Sequence, residues 1–357
     1  MARLALPNQT VAAGPFSRPE HSRTGKRSGA RSGYPDGYSQ GEPRMILSVS
    51  RRTDIPALYM DWFVNRLQAG WLLVRNPFRH THVSRIPLDP GSVECIVFWT
   101  KNPRPMLACL EALRPWPYFV QVTLNPYGRE MESALPALQQ RVDAFRKLAD
   151  RIGSERVVWR YSPILLSRRY SADFHAEQFG FLAEQLSGFT RECKLAFLDI
   201  YPKIARRMRD LGVEPAAPPH ALALARRLSD AARGIHVSAC GAPDLEAAGV
   251  SAAGCIDGKL VERLVGRPLH MKRDAGQRRN CLCVESVDVG SYQTCVNGCA
   301  YCYANHSHAA AVRKAAAYDP GSPLLCDFPG AEDVITQRRF RRITPDGGRL
   351  FLPGFGE

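Results

Sequence analysis

No run of about 18 apolar residues occurs in the 357-residue chain, so no segment reads as a membrane-spanning helix. The first fifteen residues lack the apolar core of a signal peptide, because Pro7, Asn8 and Gln9 interrupt it. There is no Gly-rich phosphate loop and no convincing Ser/His/Asp arrangement, which sets aside two common routes to catalysis. Acids are the scarcer charge, with 34 Asp+Glu against 48 Lys+Arg, a net +14. That excess biases the protein toward acidic partners without naming one. Cysteine is plentiful, at eleven residues. A chain of this length builds its core without disulfide staples, so the thiols indicate a reduced, cytoplasmic compartment and metal or redox chemistry.

Residues 1–44 have no apolar period and are rich in Gly, Ser, Pro and Arg, so they are expected to be a disordered basic extension. They hold seven Lys/Arg against three acids, +4 of the +14. Met45, directly before an apolar run, offers an alternative start. From there short apolar runs, at 46–50, 72–74, 95–99, 119–123, 157–160, 195–200, 235–239 and 284–289, alternate with helical patterns. The patterns at 135–152, 174–186 and 221–232 are amphipathic, and Ser171 is a suitable N-cap for the second. This alternation predicts an α/β fold, a full or partial (β/α) barrel of the TIM-barrel kind over residues 45–350, with 351–357 as a tail. In such barrels the loops at the carboxyl ends of strands build the site. Those loops carry Ser50–Asp54, Lys101, Tyr127, the segment 160–163, Asp199, Tyr201 and Cys240.

The densest chemistry lies at 281–305. Five cysteines fall within 22 positions, and Cys295, Cys299 and Cys302 have the spacing Cys-x3-Cys-x2-Cys. Three thiolates on one loop suit three irons of a [4Fe–4S] cluster, with the fourth iron left to a non-protein ligand. Zinc is the alternative, with His306 or His308 as the fourth donor. Cys240, Cys255, Cys281 and Cys283 can form a second metal site from three loops, either an auxiliary [4Fe–4S] cluster, the preferred reading, or structural zinc. Cys95, Cys109 and Cys193 read as core, and Cys326 is unassigned.

A strand, this cysteine loop with Tyr301 before its last cysteine, and then a helical run from 307 to 317 together resemble the radical S-adenosylmethionine enzymes. The wording around Tyr301 and Tyr303 is most similar to the branch containing spore photoproduct lyase. The segments Ser50-Arg51-Arg52-Thr53-Asp54-Ile55-Pro56 and Phe98-Trp99-Thr100-Lys101-Asn102-Pro103, with the terminal cysteine block, resemble the family catalogued as domain of unknown function 1848. The resemblance implies a [4Fe–4S] cluster on Cys295, Cys299 and Cys302, with S-adenosylmethionine on its fourth iron and Tyr301 near the adenine. A flavodoxin- or ferredoxin-type donor would supply one electron to form a 5′-deoxyadenosyl radical.

Radical S-adenosylmethionine enzymes carry the motif near their N-terminus, whereas here it comes last. A circular permutation accounts for this if 284–289 pairs in parallel with 46–50. The loop after the first strand then stands where the family binds the methionine end of S-adenosylmethionine. Thr53 or Asp54 is expected to accept from its ammonium, and Arg51 or Arg52 to pair with its carboxylate. Trp99, Tyr127, Tyr161 and Tyr201 are expected to wall off water. Lys101, His80 and His82 lie in expected loops as weak acid–base candidates. Two other classes stay open: a zinc protein that binds nucleic acid through the basic runs 263–279 and 337–349, and an iron–sulfur electron carrier.

Overall fold

The computed structural model describes residues 44–340 and 343–345. The expected extension up to residue 43, the 351–357 tail and most of the basic run after Phe340 lie outside the described residues. The strands run β1 (Met45–Val49), β2 (Trp71–Arg75), β3 (His82–Pro87), β4 (Val93–Thr100), β5 (Tyr118–Thr123), β6 (Val157–Ile164) and β7 (Glu192–Phe197). They continue as β8 (His236–Ala239), β9 (Ser251–Ala252), β10 (Leu269–His270), β11 (Val287–Asp288), β12 (Val334–Gln337) and β13 (Thr344–Pro345). The α-helices are α1 (Ile55–Leu58), α2 (Met60–Ala69), α3 (Leu138–Ile152), α4 (Ala172–Leu186), α5 (Pro202–Asp210), α6 (Pro218–Asp230), α7 (Gly258–Val265) and α8 (His308–Ala315).

Eight strands form one parallel sheet in the order β11-β1-β4-β5-β6-β7-β8-β9. Parallel strands are covered on both faces and so read as unbroken apolar runs, and all five residues of β1 are buried. The period of two sorts the faces. Leu47, Phe98, Val120, Trp159 and Leu195 point to the helices, where Phe145 and Leu148 of α3 and Phe179 and Leu182 of α4 meet them. Each such side chain contributes about 1.5–3 kcal/mol by leaving water. Asp143, Lys147, Asp150 and Arg151 keep the other side of α3 exposed. Ser171 caps α4 as its sequence predicts, accepting from the Phe174 N–H at 3.2 Å.

The opposite face carries Ile46, Cys95, Val97, Phe119 and Val158, covered by Leu260 and Val261 of α7. Toward the carboxyl ends the same face turns polar. Trp99 Nε1 donates to Ser48 Oγ at 3.0 Å, and Arg160 donates to Gln121 Oε1 at 2.9 Å.

Four expectations change. The 72–74 run forms β2, which belongs to a separate sheet in the order β12-β3-β2, antiparallel to β3. Its partner β3 follows after the short connection 76–81, which suits an antiparallel hairpin, whereas parallel pairing needs a longer crossover. His82 opens β3 and does not sit in a loop. Arg160 through Pro163 lie inside β6, which runs on to Ile164. Tyr161 faces the helices, packed against Trp159, Phe179 and His175, and walls no cavity.

The ladder stays open between β9 and β11, where a backbone hydrogen bond from Val284 to Ile256 at 3.1 Å reaches across. Among the described residues no helix is long and apolar enough to cross a membrane.

The parallel pairing of the C-terminal strand with the first is present, with Leu47 opposite Val287 and Ser48 opposite Asp288. Two residues make a weak ladder, and Asp288 reinforces it. Its carboxylate accepts from Ser48 Oγ and Ser50 Oγ (both 2.9 Å), Arg51 N (2.8 Å) and Gly290 N (3.0 Å). Arg51 and Arg52 add ion pairs at 4.0 and 3.8 Å. Gly290 is required there, because a Cβ would stand 1.8 Å from Ser50 Oγ and 2.7 Å from its Cβ.

Asp288→Ala is expected to cost about 2–3 kcal/mol in chemical denaturation, since it leaves the Arg51 and Gly290 backbone donors and both serine hydroxyls without this acceptor and removes one ion-pair partner from each arginine. A loss below about 1 kcal/mol, the size of an exposed pair, would refute this role. A second prediction concerns pH. His175 is buried, donates from Nε2 to the Leu165 carbonyl (2.8 Å) and accepts from Tyr161 OH at Nδ1 (2.7 Å). Burial lowers its pKa from the ordinary 6.5 to about 4, against the hydrogen bond to Leu165. Between those values the unfolded chain holds the extra proton, so stability is intact above pH 6.5 and declines toward pH 4. The decline attributable to this ring is about 3 kcal/mol. His175→Gln, whatever its starting stability, should lose that part of the pH slope.

Candidate functional site

Three loops meet at Asp54. Its carboxylate accepts from Ala57 N (3.1 Å) as the N-cap of α1, from Lys101 N (2.8 Å) after β4, and from Asn297 Nδ2 (2.9 Å) of the cysteine loop. Burial outweighs these bonds and raises its pKa. Next to it, Thr53 Oγ1 meets Ser291 O (2.5 Å) and Thr294 Oγ1 (2.6 Å), and Tyr59 OH donates to Thr294 O (2.5 Å). The polar atoms of Thr53 and Asp54 are thereby engaged within the chain.

The cysteine loop joins β11 to α8. Gly298, at φ 68°, lets it turn back, and Asn305 Nδ2 holds Cys295 O at 2.7 Å. Burial pushes the Cys295 thiol up to about 12, and the charge of the neighbouring Asp54 carboxylate adds to the shift. Burial also raises Cys299. The three thiols do not gather within 4.8 Å of one another, and neither His306 nor His308 joins them at that spacing. The spacing differs from that of ligands sharing a single ion.

Tyr301 is buried in a charged network. Its hydroxyl donates to Glu132 and accepts from Lys101 Nζ at 2.9 Å. Lys101 Nζ also reaches Glu132 Oε1 at 2.8 Å, and Arg141 pairs with Glu132 Oε2 at 3.3 Å. Burial would raise the Glu132 carboxyl, but Lys101 and Arg141 hold it below the ordinary range. Tyr127 packs edge-on at 6.1 Å from Tyr301, its hydroxyl donating to Pro163 O at 2.6 Å.

On the inner face, Trp99 sits between two guanidinium groups, Arg160 at 4.9 Å and Arg51 at 5.9 Å. Arg51 donates to Ser286 Oγ (2.6 Å), and Arg52 lies 4.9 Å from the Tyr292 ring. Tyr303 OH donates to the Arg51 carbonyl, and its ring, 42% exposed, lies 6.2 Å from the equally exposed Tyr201.

The second thiol group also assembles. Cys240 Sγ stands 3.6 Å from Cys281 Sγ and 3.8 Å from Cys283 Sγ, and all three lie within 4.8 Å of one another. Cys255 adjoins Cys240 and Cys283. The Cys240, Cys281 and Cys283 thiols can bind a metal.

Sequence reasoning missed Glu132, Asn297 and Asp288. Asp288 had a legible signal, a charge inside a strand-like run. Glu132 had none, being one acid in a loop whose partners lie 9 to 169 positions away.

A family model described as "Domain of unknown function (DUF1848)" matches residues 46–304. No curated protein matches the chain. Among solved structures, the carboxyl transferase domain from Rhizobium etli pyruvate carboxylase with pyruvate is similar at 16% identity and a TM-score of 0.26, over 69% of this chain. The chain spans about half (49%) of that one, and a likeness at this level carries no argument.

Asp54→Ala should free the cysteine loop from α1 and the Lys101 loop. The expected result is a loss of about 2–3 kcal/mol and faster alkylation of Cys295, followed by peptide mass spectrometry. Unchanged Cys295 reactivity would show that the brace does not hold the loop.

Proposed function

The chain belongs to the DUF1848 family, and on that premise we propose that it is a radical S-adenosylmethionine enzyme with its cluster on Cys295, Cys299 and Cys302. One observation carries this reading. The three-cysteine loop lies between parallel strand β11 and helix α8 and is braced against the loop that follows β1, Asn297 Nδ2 donating to the Asp54 carboxylate at 2.9 Å. Sulfurs too far apart for one ion suit separate irons. The reading includes a changed chain order, in which the strand–motif–helix unit that opens related barrels comes last.

Cys295, Cys299 and Cys302 would hold a [4Fe–4S] cluster with S-adenosylmethionine, which, given one electron from a flavodoxin- or ferredoxin-type donor, would supply radical hydrogen-atom abstraction chemistry toward the substrate. The chain's own residues bind and orient. Arg51 and Arg52 offer guanidinium groups to the methionine carboxylate, steadied by Asp288. Thr53 and Asp54 support these arginines through the loop they hold, which is a positioning role. Tyr301, fixed by Lys101 and Glu132, presents its ring beside the cysteines as the adenine side of the site. Trp99 and Tyr127 exclude water, with Tyr201 and Tyr303 at the exposed rim.

Anaerobic reconstitution with iron and sulfide, followed by reduction in the presence of S-adenosylmethionine, should yield 5′-deoxyadenosine. Cys299→Ala should reduce the yield at least a hundredfold and remove the cluster's visible absorbance, roughly the effect of losing an essential ligand. Full iron content in Cys299→Ala, or reconstituted protein that forms no 5′-deoxyadenosine, would overturn the proposal.

A further inference from the structure

Cys240, Cys255, Cys281 and Cys283 come from three separate segments: the end of β8, the turn after β9, and the stretch leading to β11. These segments flank the opening where the large sheet lacks a ladder. The approach is closer than side chains normally permit. A Cβ on Gly254 would lie 2.6 Å from Leu282 O and 2.9 Å from Ile256 O. Gly241, at φ 72°, would place one 3.3 Å from Asn280 O. Glycine at both positions lets the turns converge on the thiols.

We infer that these four cysteines hold a single tetrahedral metal ion, zinc by its chemistry, which clasps the open edges of the sheet. Four thiolates at about 2.3 Å from one ion stand about 3.8 Å apart. Cys240 Sγ stands 3.6 and 3.8 Å from the Cys281 and Cys283 sulfurs, and all three lie within 4.8 Å of one another; Cys255 lies outside that group and closes on the ion from the neighbouring turn as the fourth ligand. A disulfide needs about 2.05 Å, and sulfurs on different irons of a cubane stand farther apart. The auxiliary cluster preferred from sequence therefore gives way to one ion.

The surroundings suit thiolates. Backbone N–H groups of Ile256 and Leu282 donate to Cys283 Sγ and Cys240 Sγ, both at 3.4 Å. The Arg160 guanidinium reaches Cys255 and offsets the charge that four thiolates bring to a divalent ion. Four protein ligands leave no open position, which makes the ion structural and separate from the proposed catalysis. Its contribution is to join segments that otherwise meet through hydrogen bonds such as that from Val284 to Ile256.

The test uses the full chain with Cys295→Ala, Cys299→Ala and Cys302→Ala, expressed with zinc, so the outcome does not depend on the S-adenosylmethionine proposal. One zinc per chain without acid-labile sulfide is expected. Cobalt in its place should give the d–d bands of a tetrahedral tetrathiolate site. Adding Cys283→Ser should abolish metal retention and lower the melting temperature, while Cys109→Ser, outside the set, should change neither. If the Cys283 variant does not fold, titration of the trio-free protein with a mercurial reagent gives the same information, zinc leaving as four thiols react. Iron with stoichiometric sulfide on the trio-free chain, or no metal retained, would overturn the assignment.

Discussion

The two-residue strand β11 gains too little from its ladder to hold the C-terminal segment against β1, and Asp288 makes up the difference. Its carboxylate takes hydrogen bonds from β1, from the loop between β1 and α1 and from Gly290 just beyond β11, and it draws in two arginines. Everything in the candidate site follows from this junction. The cysteine loop begins two residues beyond Asp288, and the loop carrying Arg51 to Asp54 begins where β1 ends. Without β11 in register, those loops share no wall.

From that junction the two thiol groups diverge in character. The trio stands on one loop, braced from outside by Asp54, with its sulfurs spread apart. The other group draws Cys240, at the end of β8, to within 3.6 and 3.8 Å of the Cys281 and Cys283 sulfurs. One arrangement leaves room for a larger inorganic group and an external ligand; the other closes around a point. The inner face between them is positively charged, with Arg160 bridging from the Trp99 ring toward Cys255. Glu132, Lys101 and Arg141 show a different economy, in which a buried carboxylate is tolerated because two cations and a tyrosine hydroxyl meet it.

Much of the fold was legible because buried parallel strands and amphipathic helices write themselves into short sequence windows. β4, β5, β6 and α4 with its Ser171 cap lie where the apolar periods put them. The errors have local causes. The 72–74 run looks like any buried strand, and what takes it out of the large sheet is its antiparallel pairing with β3 across the short connection 76–81. β9 was invisible because two exposed residues, Ser251 and Ala252, carry no apolar signal. Tyr161 was placed at the mouth because β6 was taken to end before it, and that shift turned its side chain to the wrong face.

The sequence alone determined the α/β class and the three-cysteine spacing, since each rests on residues close together or on one apolar pattern; the pairing of the last strand with the first was expected only through a family resemblance. Tertiary structure decided what those residues are free to do. Thr53 and Asp54 prove to be engaged in holding loops, Tyr301 is anchored by Glu132, and Cys240 joins Cys281 and Cys283 at single-ion distance. The physical reason is separation along the chain. Hydrogen bonds and thiol contacts spanning 40 to 243 residues depend on where the strands place their ends, and no local pattern encodes that.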